Sequence, residues 1–215
     1  MSGSRVLLAT RSAGKLRELR EIFAAAGLDA VDLSALGIPE SEAEDGLESY
    51  ETFEENAMAK ARYFFELSGG LPTFGDDSGM CVDALGGEPG VYSKRWSGRN
   101  DLIGKSLDEA NNAKLVVRMR DALRRDPAHY TDRGLYVCVA AFKDTAGEVR
   151  RRGEIEGRVL THPRGAGGFG YDPYFEAPDL GGTFAESTIE NTAASSHRAR
   201  AFRALLSALR AEGRI

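Results

Sequence analysis

Apolar positions along the chain alternate between strand-like and helix-like spacing. Arg5 to Ala9 reads as a buried strand, and Leu16, Leu19, Ile22, Phe23 and Ala26 then recur at helical spacing until Gly27 supplies a C-cap. A strand-loop-helix unit opens the protein. Phe53, Ala57, Ala61 and Phe64 share one face of a helix predicted over Tyr50 to Leu67, and a strand is predicted from Thr73 to Leu85. The next helix is predicted to start at Ser106, whose spacing to Glu109 matches a capping box, with Leu115, Val116, Met119 and Leu123 turned inward. Leu135 to Phe142 and Glu148 to Leu160 are β-rich runs joined by Asp144-Thr145-Ala146-Gly147, a hairpin signal, and Ala199 to Leu209 closes the chain as an amphipathic helix. The pattern predicts an α/β fold with a mixed, partly antiparallel sheet flanked by helices.

Composition narrows the context. A 215-residue chain with 42% hydrophobic content buries a substantial core, and no repeat, low-complexity tract or long linker marks a boundary, so residues 1–215 read as one domain with two lobes. The balance of 28 basic against 33 acidic residues gives a charge of −5. No global field then attracts nucleic acid or an anionic membrane, and a phosphate ligand needs local cations or a metal. Cys81 and Cys138 each lie in an apolar run, which favours reduced core thiols and a cytoplasmic location. Val6-Leu7-Leu8-Ala9 is too short for a signal-peptide core, and no apolar stretch approaches the roughly 20 residues that span a bilayer.

Five features carry candidate chemistry. Thr10-Arg11-Ser12-Ala13-Gly14-Lys15 lies where a strand hands over to a helix, and a helix N-terminus offers unpaired N–H groups to an anion. Thr10, Ser12 and Lys15 are the candidate phosphate contacts; Ala9 and Leu16 rule out a Walker A loop. Asn56 and Lys60 project together from the second helix. In Gly75-Asp76-Asp77-Ser78-Gly79, strand alternation sends the two aspartates to opposite faces. Asp77 shares its face with two glycines that leave room for a ligand, so it is the better base or metal ligand. Glu44, from the acidic segment Glu42 to Asp45, is the chosen second carboxylate for a hard cation. Gly165-Ala166-Gly167-Gly168-Phe169-Gly170 satisfies a dinucleotide-binding glycine pattern but is followed by Tyr171-Asp172-Pro173 rather than a helix. It reads instead as a base-stacking platform, with Asp172 as an acceptor. Ser196-His197-Arg198 supplies donors at the start of the last helix. Taken singly, each feature also has a plain structural reading: a capped helix, a snorkelling lysine, a glycine turn, a core phenylalanine, a surface His-Arg pair.

Taken in order, the set resembles the inosine triphosphate pyrophosphatase family of non-canonical purine nucleotide hydrolases. The resemblance covers nearly the whole chain and includes Glu55-Asn56-Ala57 with Lys60-Ala61, Val82-Asp83-Ala84-Leu85-Gly86-Gly87 and Pro89-Gly90-Val91-Tyr92-Ser93. It implies an elongated two-lobed molecule with a central nucleotide cleft. It further implies magnesium-dependent cleavage of the α,β-phosphoanhydride of ITP, dITP and XTP to monophosphate and pyrophosphate, a pool-cleansing role and a homodimer. On matching positions it puts Glu44 and Asp77 at the metal, makes Asp77 the group that orients or deprotonates water, and gives the triphosphate to Lys15 and Lys60. Ser78, Phe169, Gly170, Tyr171, Asp172, His197 and Arg198 fall to the base.

Three positions depart from the family pattern. Ser12 stands where Asn is usual, Lys94 where Ala is common, and Thr192 where a lysine normally contributes charge to the nucleotide site. These motivate the alternative of a catalytically weak nucleotide-binding regulator, against which Asp77 and Glu44 argue.

Overall fold

The computed structural model describes residues 5–215. Among the described residues the chain runs β1 (Arg5–Leu8), α1 (Ala13–Ala25), β2 (Asp29–Asp32), α2 (Phe53–Leu67), β3 (Thr73–Val82), α3 (Gly104–Arg125) and β4 (Arg133–Asp144). It continues through β5 (Gly147–Val159), β6 (Phe175–Ala177), β7 (Gly182–Thr183), α4 (Ile189–Ser195) and α5 (His197–Ala211). The strands form one sheet ordered β2-β1-β3-β4-β5-β6-β7. β1 pairs in parallel with β2 and with β3, because α1 and α2 are the crossovers that a parallel connection requires. β5 pairs antiparallel with β6, and β6 with β7, so the sheet is mixed as the pattern predicted.

The chain divides into two compact units. The first comprises the residues up to Asp77 with Cys138–Gly153 and Ser196–Ile215. Its core packs Phe23 edge-on against Phe74 at 4.8 Å and Phe74 tilted against Phe142 at 4.6 Å, with Phe202 against Phe23 at 5.7 Å. Each ring is almost wholly buried, which contributes about 1.5–3 kcal/mol apiece. The second unit comprises Ser78–Val137 and Glu154–Ser195. Its core joins Met80, Val82, Leu115, Met119, Ile155, Phe175 and Phe184.

Four sequence expectations need correction. The strand predicted to Leu85 stops at Val82, and Asp83–Leu85 form a short 3₁₀ turn closed by Gly86 at φ 65°. The helix predicted from Tyr50 starts at Phe53, where the Thr52 hydroxyl caps Glu55 N at 3.2 Å. α3 starts at Gly104 rather than Ser106 and has no side-chain cap, so the Ser106-Glu109 pair is not a capping box. Leu123 is 46% exposed; Ala122 is the buried residue of that last turn.

Gly75 sets how closely α2 lies on β3. A Cβ at this position would meet the Ala57 carbonyl oxygen at 2.8 Å and the Ala61 nitrogen at 3.0 Å. Only a glycine lets the helix sit so near, and the helix turn involved is the one that carries Asn56 and Lys60.

Candidate active site

The middle of β3 buries two aspartates with different partners, as alternation requires. Asp77 accepts a hydrogen bond from Asn56 Nδ2 at 2.9 Å and lies 3.8 Å from Lys60 Nζ. Lys60 Nζ donates to Glu48 Oε1 at 2.7 Å. Asp76 lies 2.9 Å from Lys15 Nζ and accepts from Arg198 Nε at 3.4 Å. Arg198 Nη1 donates in turn to Glu18 Oε2 at 2.6 Å, and the Ser196 hydroxyl donates to the other Glu18 oxygen. All these residues belong to the first unit.

Burial and charge set their protonation. Asp77 is raised above the usual carboxylate range because desolvation outweighs the pull of Lys60. The Lys60 ammonium sits closer to Glu48 than to Asp77. Burial alone would raise Asp76 too, but Lys15 and then Arg198 reverse it and hold this carboxyl well below its usual range. Burial opposes the charged form of Lys60, yet Glu48 and Asp77 raise its pKa overall. The Arg198 guanidinium is likewise kept charged against burial by Glu18 and Asp76. His197 is driven well below the ordinary histidine range by burial and by Arg198, so its ring is neutral.

Several site residues differ from their sequence reading. Glu44 is held by Arg11, with Nη2 at 2.7 Å and Nε at 3.1 Å, and it closes a capping box with Ser41. The carboxylate that the acidic loop delivers to Lys60 is Glu48. Asn56 orients Asp77 and also ties back the loop, its Oδ1 accepting from Tyr50 N at 3.0 Å. Thr10 and Ser12 shape the start of α1: the Thr10 hydroxyl accepts from Ser12 N at 3.2 Å, and Ser12 Oγ from Lys15 N at 3.4 Å. Arg198 gives its Nε and Nη1 to carboxylates. Glu18, Glu48 and Asp76, none of them a candidate from the sequence, join this cluster. Only Glu18 left a signal, lying one helical turn from Lys15.

In the second unit Ser78 is half-buried on β3, and the glycine-rich loop presents Phe169, 38% exposed. Asp172 is occupied within the loop, accepting from Phe169 N at 2.8 Å and from the Tyr136 hydroxyl at 3.3 Å. Tyr171 is buried and donates to the Ser93 carbonyl at 2.8 Å.

Counted together, Lys15, Lys60 and Arg198 face Glu18, Glu48, Asp76 and Asp77, one more carboxylate than cations. That surplus fits a divalent cation held by two carboxylates. Among the described residues no group of three or more His, Cys, Asp or Glu side chains forms a metal cage.

Fold and cluster define a mixed α/β protein with a buried cluster of carboxylates and cations built on the middle of one strand. The chain belongs to the Ham1 family, whose model matches residues 6–208. It is 48% identical over 209 residues to a dITP/XTP pyrophosphatase of Frankia alni, covering 96% of this chain and 97% of that one. It is 44% identical over 210 residues to the dITP/XTP pyrophosphatase of Ralstonia nicotianae, with 96% of each chain covered. Among solved structures it resembles a HAM1 protein from Coxiella burnetii at a TM-score of 0.77 and 30% identity, covering 95% of this chain and 98% of that one. It also resembles a nucleoside-triphosphatase / dITP/XTP pyrophosphatase from Mycobacterium abscessus at 0.65 and 38% identity, covering 94% and 98%.

Proposed function

We propose that this protein is a nucleoside triphosphate pyrophosphohydrolase for non-canonical purine nucleotides, taking ITP, dITP and XTP to the monophosphate and pyrophosphate. The observation that carries the reading is Asp77: a buried carboxylate of raised pKa, oriented by Asn56 and flanked by Lys60. The names of its near relatives support the substrate class. The proposal extends to magnesium, a homodimer, a cytoplasmic location and a pool-cleansing role.

In this mechanism Asp77 orients a water molecule and accepts its proton as the oxygen attacks the α-phosphorus. The bond from that phosphorus to the α,β-bridging oxygen breaks, and pyrophosphate carries away the electron pair. Lys15 and Lys60 hold the triphosphate, with substrate phosphate competing against Glu48 for the Lys60 ammonium. Magnesium, when bound, supplies further neutralisation of phosphate charge, and Asp77 with Glu48 in place of Glu44 would hold it. Base recognition falls to Phe169 for stacking and to His197 and Arg198 as donors. Donors favour a 6-keto acceptor over the amino group of adenine.

The test is pyrophosphate release from ITP, dITP, XTP, ATP, GTP and CTP, with magnesium and with EDTA, identifying the nucleotide product. Magnesium-dependent monophosphate formation from ITP, dITP and XTP, with ATP and GTP largely spared, is expected. Equal turnover of ATP would contradict the specificity, and tight ITP binding without turnover would point to the regulator.

A further inference from the structure

We propose that Asp108 and Asn112 of α3 are positioning residues for base recognition: they clamp the Gly170 backbone and so hold the Phe169 ring as a fixed platform. The inference rests on the reading that Phe169 stacks on the purine.

Asp108 and Asn112 are four residues apart and share one face of α3. Asp108 Oδ2 accepts from Gly170 N at 2.9 Å, and Asn112 Nδ2 donates to Gly170 O at 3.0 Å. Both polar backbone groups of one glycine are therefore fixed from one helix. Gly170 has φ +60°, a conformation natural to glycine, in a loop with further glycines at 165, 167 and 168. Such a loop has much backbone freedom to lose when a ligand orders it.

The neighbouring bonds point the same way. Phe169 N is held by Asp172 and the Tyr171 hydroxyl by Ser93, and from Phe169 to Asp172 Phe169 is the one exposed residue, at 38%. Asn112 Oδ1 is buried with no hydrogen-bond partner among the described residues. A leucine at this buried position would avoid that cost, and the bond to Gly170 is what the amide supplies in return. Ordering the loop on folding removes an entropy cost that nucleotide binding would otherwise bear.

The experiment compares D108A, D108N, N112L and F169A in ITP turnover, thermal unfolding and hydrogen exchange at the Gly170 amide. D108A and N112L should raise KM by about two- to twelvefold, the scale of one lost hydrogen bond, with kcat within about twofold. D108N keeps an acceptor oxygen and should restore KM to near wild type, while the Gly170 amide exchanges faster in D108A. If F169A raises KM but D108A and N112L do not, the clamp is refuted while stacking stands. D108N behaving no better than D108A would also overturn the proposal. An unchanged KM in F169A would remove the stacking reading and this inference with it.

Discussion

Replacing Gly75 with Ala should both destabilise the first unit and disturb Asp77. The new Cβ would sit 2.8 Å from the Ala57 carbonyl oxygen, whereas ordinary contact begins at 3.4 Å, so backbone of α2 must move by about 0.6 Å. Overpacking of this kind costs about 1–3 kcal/mol, against about 0.4–1 kcal/mol gained by restricting the unfolded chain. A net loss of about 1–2 kcal/mol corresponds to a Tm lower by roughly 2–8 °C. The same displacement stretches the 2.9 Å Asn56–Asp77 bond to about 3.5 Å, at the edge of a hydrogen bond. Turnover should then fall about tenfold, since misplacements near 1 Å cost up to about a hundredfold. Thermal unfolding and ITP turnover are the assays. Gly46→Ala is the control, because a Cβ there meets nothing within 4 Å and should change stability by less than about 0.5 kcal/mol. A G75A protein matching that control in both assays would refute the close-packing argument.

Two further predictions separate residues that look alike in sequence. E48Q should raise the magnesium concentration for half-maximal activity by about tenfold or more, while E44Q leaves it within about twofold and loses only the Arg11 pair; the reverse order in a magnesium titration would return the metal to Glu44. His197 is buried neutral with a lowered pKa, so below about pH 6.5 the unfolded state binds the extra proton first and stability falls, by about 1 kcal/mol between pH 6.5 and 5.5. Denaturant unfolding of H197Q should lack that slope between about pH 6.5 and 5.5, a window above the one in which the lowered pKa of Asp76 acts, since its contribution is lost only as pH drops below about 4.

Regular elements were legible where one period governed them. The apolar stripe gave α2 and the alternation within β3 separated Asp76 from Asp77, because both follow from backbone geometry alone. Gly75 and Gly79 were read as making room for a ligand; Gly75 instead admits the backbone of α2. The partners of Asp76 are not legible in the sequence, because Lys15 and Arg198 are brought together from distant parts of the chain. Glu48 was missed for the same reason. It lies in irregular chain with no period to orient it, and it reaches Lys60 where Asn56 ties Tyr50 back. Glu44 stood in a richer acidic run, but Arg11 and the Ser41 cap hold it. The ends of α3 were misread because Gly104 begins the helix before the apparent capping signal and its last turn leaves Leu123 exposed.

The most direct measurement is ITP turnover by D77N beside equilibrium binding of a non-hydrolysable ITP analogue with magnesium. A loss of about a hundredfold or more in kcat is expected, with the Kd within about threefold at saturating magnesium, because the amide keeps the shape but takes up no proton from water. A folded D77N protein turning over within tenfold of wild type would contradict the central role of Asp77.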